Sequence, residues 1–198
     1  MTKKALFFLI ILFSISCFAQ DEDNITIIKC DSRYLNKKIS IKLTNYETEK
    51  DGYDGEKNTI LEINQLINGK TKTILKESIF SKVQKIEFED FNNDKIKDIL
   101  IQNISDVRSN WTYNLYLYDP KQGTFKKVIG FEEIRGPRYN SKYNIVESYA
   151  VSGEDYLSFY KIIKNKIYDY NIQIIDSHNK KFDLEYKKAI AKIVKRKI

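Results

Sequence analysis

The chain has 198 residues, with 34 Lys and Arg against 27 Asp and Glu and a single histidine. The length suffices for one sizeable core, and the mild positive excess comes without a recognisable nucleic-acid-binding motif, so nucleic acid is not an expected partner. Zinc-type Cys/His spacings, a Gly-rich phosphate loop and a GxSxG elbow are all missing, and any His-dependent triad would have to use His178 in the turn-like Asp176-Ser177-His178-Asn179-Lys180, so an enzyme is not expected.

In chain order, Lys3 and Lys4, the apolar run 5–13 and the small residues leading to Ala19-Gln20 read as a secretory signal peptide, residues 1–19. The run falls short of the roughly 20 residues of a bilayer span and nothing comparable follows, so no transmembrane segment is expected. Cleavage after Ala19 makes 20–198 a single exported domain, periplasmic or secreted. The alternative is lipoprotein processing, with a lipid anchor at Cys17 holding the protein on a membrane; Ser14 sits where such signals carry an aliphatic residue. Loss of Lys3 and Lys4 leaves 32 cations against 27 acids, about +5, densest at Lys187-Lys188, Lys192 and Lys195-Arg196-Lys197. This basic tail reads as a solvated face, with an anionic wall or membrane surface as its other use. Cys30 is then the only cysteine, no intramolecular disulfide can form, and Cys30 reads as a small core residue.

Tyr, Phe and Ile are abundant, Pro is scarce, and Asn, Asp, Gly and Lys punctuate short apolar stretches, which is strand composition. The acidic, Gly-containing stretch 44–59 reads as an exposed flexible loop, with a second ion site of irregular spacing as the alternative. Residues 61–67 and 70–75 flank Asn68-Gly69, the pair preferred in a two-residue type I′ hairpin. Strand-like alternation at 83–88 and the apolar Ile99-Leu100-Ile101 enclose an acidic loop. A second hairpin runs from Trp111 to Tyr118, turns at Asp119-Pro120-Lys121-Gln122-Gly123 and returns to Ile129. Further strands are expected at 143–151, 155–163, 166–175 and 181–186, the last passing into a short helix because Tyr186, Ile190, Ile193 and Val194 recur at helical spacing. The strands group as 25–76, 83–129 and 143–194. The expected fold is all-β, a propeller-like stack of antiparallel four-stranded units, incomplete as a ring or sandwich-like, since three blades are too few to close.

Asp90-Phe91-Asn92-Asn93-Asp94-Lys95-Ile96-Lys97-Asp98 places oxygen-bearing side chains at the first, third, fifth and ninth positions of one loop. Ca²⁺ takes about six to eight oxygens, and residues two apart in a tight loop can turn onto a common centre. Asp90, Asn92, Asp94 and Asp98 are the candidate side-chain ligands, with the Ile96 carbonyl at the seventh position and water completing the shell. An EF-hand would need Glu at the twelfth position, which is Ile101, and usually Gly at the sixth, which is Lys95. The competing reading is a solvated Asp/Asn turn.

This loop with its flank, Glu87 to Leu100, followed by Tyr116-Leu117-Tyr118-Asp119-Pro120-Lys121-Gln122-Gly123-Thr124-Phe125, resembles the FG-GAP/VCBS-type repeat of calcium-binding β-propellers. It is similar to small exported propeller-like proteins that include periplasmic immunity proteins against type IV-secreted peptidoglycan hydrolases. The resemblance covers about a quarter of the chain closely. It implies calcium at Asp90, Asn92, Asp94, Ile96 (carbonyl) and Asp98 and a propeller-like fold; inhibition of a peptidoglycan hydrolase, which would make that hydrolase the protein partner, belongs to a few members of the group. Lys95 departs from the usual glycine, and no inhibitory motif can be matched.

The leading expectation is thus an exported calcium-binding β-protein acting as a protein-binding module or hydrolase inhibitor. Arg108-Ser109-Asn110-Trp111 and Arg135-Gly136-Pro137-Arg138-Tyr139 are its candidate contact loops, Arg, Trp and Tyr being the residues that dominate interface energetics, with Trp111 itself read as core. The alternatives are a carbohydrate-binding or hydrolytic envelope protein, and a structural envelope protein without a separable ligand.

Overall fold

The computed structural model describes residues 24–31, 33–34, 37–46, 56–106, 108–176 and 180–196. The signal-peptide residues with Cys17, the His178 turn and most of the 44–59 loop lie outside them. Three antiparallel sheets account for the strands among the described residues, each a sequential meander of four. The first contains β1 (Asn24–Lys29), β2 (Ile39–Asn45), β3 (Thr59–Ile67) and β4 (Lys70–Ile79). The second contains β5 (Ile86–Glu89), β6 (Asp98–Ser105), β7 (Trp111–Asp119) and β8 (Thr124–Lys127). The third contains β9 (Pro137–Asn140), β10 (Ile145–Ala150), β11 (Tyr156–Ile163) and β12 (Lys166–Ile175). One helix follows, α1 (Lys180–Lys195).

Side-chain parity along the strands dictates how these sheets pack. In β2, Ile39, Ile41 and Leu43 are buried while Ser40, Lys42 and Thr44 face the other way, so the first sheet has one apolar face. The central strands of the second sheet are apolar on both faces: Ile99, Ile101, Tyr116 and Tyr118 join Ile41, Leu43, Leu61 and Ile63 in one core. Leu100, Leu115 and Leu117 point the opposite way and meet Val146 of the third sheet in a second core. The second sheet is therefore sandwiched, which is why 99–101 is a continuous apolar run rather than an alternation. On the far side of the third sheet, Ile145, Phe159, Tyr170 and Ile174 pack on Ala189, Ile190 and Ile193 of α1. The layer order is first sheet, second sheet, third sheet, helix. The outer face of the first sheet is mixed: Glu62 sits between Lys42 (3.8 Å) and Lys76 (2.9 Å) on adjacent strands, while Ile25 and Ile27 of β1 are exposed beside them.

The fold is mostly β rather than all-β, and two expectations about its end are corrected. Residues 181–186 are helical, not a strand: Phe182 and Tyr186, one turn apart, pack inward with Ala189, Ile190 and Ile193, whereas Leu184 is exposed. The fourth strand of the third sheet is β9, which precedes the other three and is only four residues long. Among the described residues the sheets stack without closing into a barrel or ring. The Asn68-Gly69 hairpin forms as its sequence requires, both residues taking positive φ (50° and 76°), and the 119–123 turn joins β7 to β8. Cys30 is a free, fully buried thiol. No described helix is long and apolar enough to cross a membrane.

Candidate functional site

The acidic loop is the β5–β6 connection, and strands rather than helices flank it. Its side chains fold onto its own backbone. Asp90 accepts the N–H groups of Asn92 (3.1 Å) and Asn93 (2.6 Å) through Oδ1 and that of Lys95 (2.9 Å) through Oδ2. Asn92 Oδ1 accepts the Asp94 N–H at 3.0 Å, and Asp94 Oδ1 accepts the Ile96 N–H at 2.8 Å. The Asn92 amide also donates to Asp94 Oδ2 at 2.9 Å. Two left-handed residues, Asn93 (φ 62°) and Lys95 (φ 68°), let the chain curl this tightly, so Lys95 adopts the conformation glycine would supply at the sixth position.

Three anchors fix the loop to the fold, and the ligand spacing alone did not reveal them. The Phe91 side chain is buried between the second and third sheets, edge-on to Phe131 (5.2 Å between ring centres) and against Tyr139 of β9 (5.8 Å). The Tyr34 hydroxyl, 63 residues away in sequence, donates to the Lys97 carbonyl at 2.7 Å. Asp98, fully buried at the start of β6, accepts the N–H of Phe91 at 2.8 Å and that of Tyr118 at 3.0 Å. The sequence signal for the first anchor is a lone aromatic inside an otherwise polar loop. Ile96 is partly buried against the core between the first two sheets.

Burial pushes the Asp98 carboxyl up to about 7; its two N–H donors oppose the rise, and the nearby Asp94 and Asp90 charges add to it. Burial, with Asp90 and Asp98 behind it, likewise holds the Tyr139 hydroxyl above the usual tyrosine range. The loop thus gathers negative charge around a buried carboxylate. Among the described residues no three His, Cys, Asp or Glu side chains converge as a metal-holding group. The donor chemistry nonetheless suits a hard cation: three carboxylates and an amide oxygen, of which Asp90 Oδ1 already accepts two N–H groups while Asp90 Oδ2, Asn92 Oδ1 and both Asp94 oxygens accept one hydrogen each and keep a second lone pair.

A second assembly lies at the opposite end of β6, where 106–110 connects to β7. The Asp106 carboxylate accepts the N–H groups of Arg108 (2.9 Å) and Asn110 (3.1 Å) and the Asn110 side-chain amide (2.7 Å). Asn110, buried, grips Val151 in both directions, donating to its carbonyl (2.7 Å) and accepting its N–H (2.8 Å). The Gly136 N–H donates to the Trp111 carbonyl at 2.8 Å, and the Ser148 hydroxyl donates to the Arg135 carbonyl at 2.6 Å. The two candidate contact loops are therefore one continuous surface. Arg108, Arg135 and Arg138 are exposed on it, and Trp111 is half-buried at its edge rather than a core residue. The Asn110 amide, with Arg135 a smaller contributor, holds the Asp106 carboxyl below its usual range.

No family model, curated protein or solved structure matches this chain.

Proposed function

We propose that this chain is an exported, calcium-binding, non-enzymatic β-protein that acts as a protein-binding module, with a peptidoglycan hydrolase as the partner it inhibits. The observation that carries the binding role is the joined loop surface. Arg108, Trp111, Arg135 and Arg138 come from two segments more than 20 residues apart, and the hydrogen bond from the Gly136 N–H to the Trp111 carbonyl joins the segments. Arginine and tryptophan on a backbone-braced surface are the features of an interface anchor. Asp90, Asn92, Asp94, Asp98 and the Ile96 carbonyl would hold the ion, which would offset two of the three carboxylate charges and brace the β5–β6 corner. The sequential four-stranded meanders, stacked face to face, support a propeller-like relationship. The hydrolase as partner and the exported location rest on the resemblance of 87–125 and on the N-terminal signal.

The test is peptidoglycan lysis by lysozyme-like hydrolases with added mature protein. Stoichiometric inhibition is expected, and replacement of Arg108, Arg135 and Arg138 by alanine should remove it. Release of product by the protein alone would instead favour the hydrolytic alternative. Absence of both inhibition and complex formation across such hydrolases would overturn the proposal.

A further inference from the structure

The positive charge of this protein is concentrated on one element. Helix α1 carries six lysines against Asp183 and Glu185, and Arg196 follows it, so this segment holds +5 of the chain's +7. Glu185 is 3.7 Å from Lys181 within the helix, and Arg196 turns inward to donate to the Tyr170 carbonyl at 2.7 Å. Lys187, Lys188, Lys192 and Lys195 are exposed and have no acidic partner among the described residues.

Helical geometry puts these four on one broad outward face. Leu184, Lys187, Lys188, Ala191, Lys192 and Lys195 recur at three- and four-residue steps, opposite the face that packs on the third sheet. Beside this face a groove of about 390 Å³ runs between the helix and the β9–β10 turn, lined by Tyr143, Ile190, Ala191 and Val194 together with Lys187 and Lys195. Lys142, on the same turn, lies over the Tyr143 ring at 5.1 Å and adds a further exposed cation. Leu184 and Val194 are 52% and 64% exposed, so apolar groups stand among the lysines.

We propose that the outer face of α1 is a docking surface for an anionic phospholipid membrane. The alternative occupant, an acidic protein segment, fits less well. Directional recognition of carboxylates favours arginine, with its planar bidentate fork, whereas the free cations on this face are all lysines, mobile point charges suited to a diffuse field of headgroups. The 16-residue helix presents them along roughly 12 Å of its length, at the end of the stack that no other described element covers. The mode is adsorption: the apolar face of the helix is already committed to the third sheet, so attraction comes from the lysines, with Leu184 and Val194 touching the interfacial layer. This inference depends on neither calcium nor a hydrolase partner.

The experiment is co-sedimentation of the mature protein, in chelator, with phosphatidylcholine vesicles and with vesicles containing 30% phosphatidylglycerol. Binding is expected to the anionic vesicles alone and to weaken as salt rises. Reversing Lys187, Lys188 and Lys192 to glutamate should lower partitioning by about a hundredfold or more, at roughly fivefold per lysine. A matched control, Lys70→Glu with Lys72→Glu and Lys121→Glu, makes the same net-charge change at exposed positions away from the helix and should lose far less. Equal melting temperatures for the two variants would verify that both are folded. No binding by the wild type, or equal loss in both variants, would overturn the proposal. So would binding to soluble polyglutamate without binding to anionic vesicles, which would assign the face to an acidic protein.

Discussion

The buried carboxylate of Asp98 accepts the backbone N–H of Tyr118 at 3.0 Å, tying the end of the acidic loop to the middle strand of the molecule. Its other oxygen holds Phe91 at 2.8 Å, so one side chain closes the loop on itself and onto β7. Burial places its pKa near 7, above the ordinary carboxylate value of about 4. Below pH 4 the group is protonated folded or unfolded; between about 4 and 7 only the folded chain keeps the proton; above 7 neither does. The contribution of Asp98 to metal-free stability is therefore present at low pH and is lost as pH rises toward 7. Asp98→Asn cannot titrate and leaves one N–H facing an amide, at a cost of about 1–3 kcal/mol. In denaturant melts with chelator, wild type should lose stability relative to this variant between pH 4 and 7. A difference that stays constant with pH would contradict the assignment.

Lys95→Gly should stabilise the protein by about 0.5–1 kcal/mol. Lys95 holds φ 68°, a conformation that costs an L-residue about 1–2 kcal/mol, and the extra freedom of glycine in the unfolded chain offsets part of the relief. The Lys95 N–H that binds Asp90 is kept in the variant. Urea denaturation in chelator measures the change.

What was legible in the sequence was local. Asn68-Gly69 announces its hairpin because only such residues accept two successive positive φ values, and Asp90 to Asp98 announces a tight loop because its side chains cap its own backbone. The four-strand grouping also survives, with shifted edges. The helical spacing of Tyr186, Ile190 and Ile193 is legible, but the first turns of the helix read as a strand because Phe182, Leu184 and Tyr186 imitate alternation, although only the first and third of them pack inward. Strand β9 reads as a loop in the sequence: it is four residues long with Pro137 at its first position, and an edge strand tolerates that where a central strand would not. The bonds that anchor the acidic loop, from the Tyr34 hydroxyl to the Lys97 carbonyl and from the Tyr118 N–H on the neighbouring strand β7 to Asp98, join residues 63 and 20 positions apart, which no local pattern encodes.

Gly136→Ala should destabilise by about 2–4 kcal/mol and separate the two contact loops. A β-carbon there would lie 2.5 Å from the Tyr149 carbonyl oxygen, and φ is already +50°. The Gly136 N–H bond to Trp111 could not survive the shift. Thermal unfolding reads the loss of stability, and amide exchange at Gly136 reads the opened junction. An unchanged exchange rate would show that the junction does not depend on this close approach.

Ile190→Ala should cost about 2–4 kcal/mol, because Ile190 is 6% exposed in the core between α1 and the third sheet. Leu184→Ala, on the exposed side of the same helix, should cost less than about 0.5 kcal/mol. Had 181–186 been a strand, Leu184 would share its buried face with Phe182 and Tyr186, and the second variant would be costly too. Chemical denaturation of the pair separates the two cases.

The melting temperature of initially metal-free protein, compared in calcium and in chelator, tests the calcium loop most directly. An ion bound to the folded state and not to the unfolded chain stabilises by RT ln(1 + [L]/Kd), about 2.7 kcal/mol at a hundredfold excess over Kd. The account predicts a clear rise in calcium, little response to magnesium, and no response in Asp94→Ala. Identical curves in calcium and chelator would contradict it, leaving the loop as a turn held by its own hydrogen bonds.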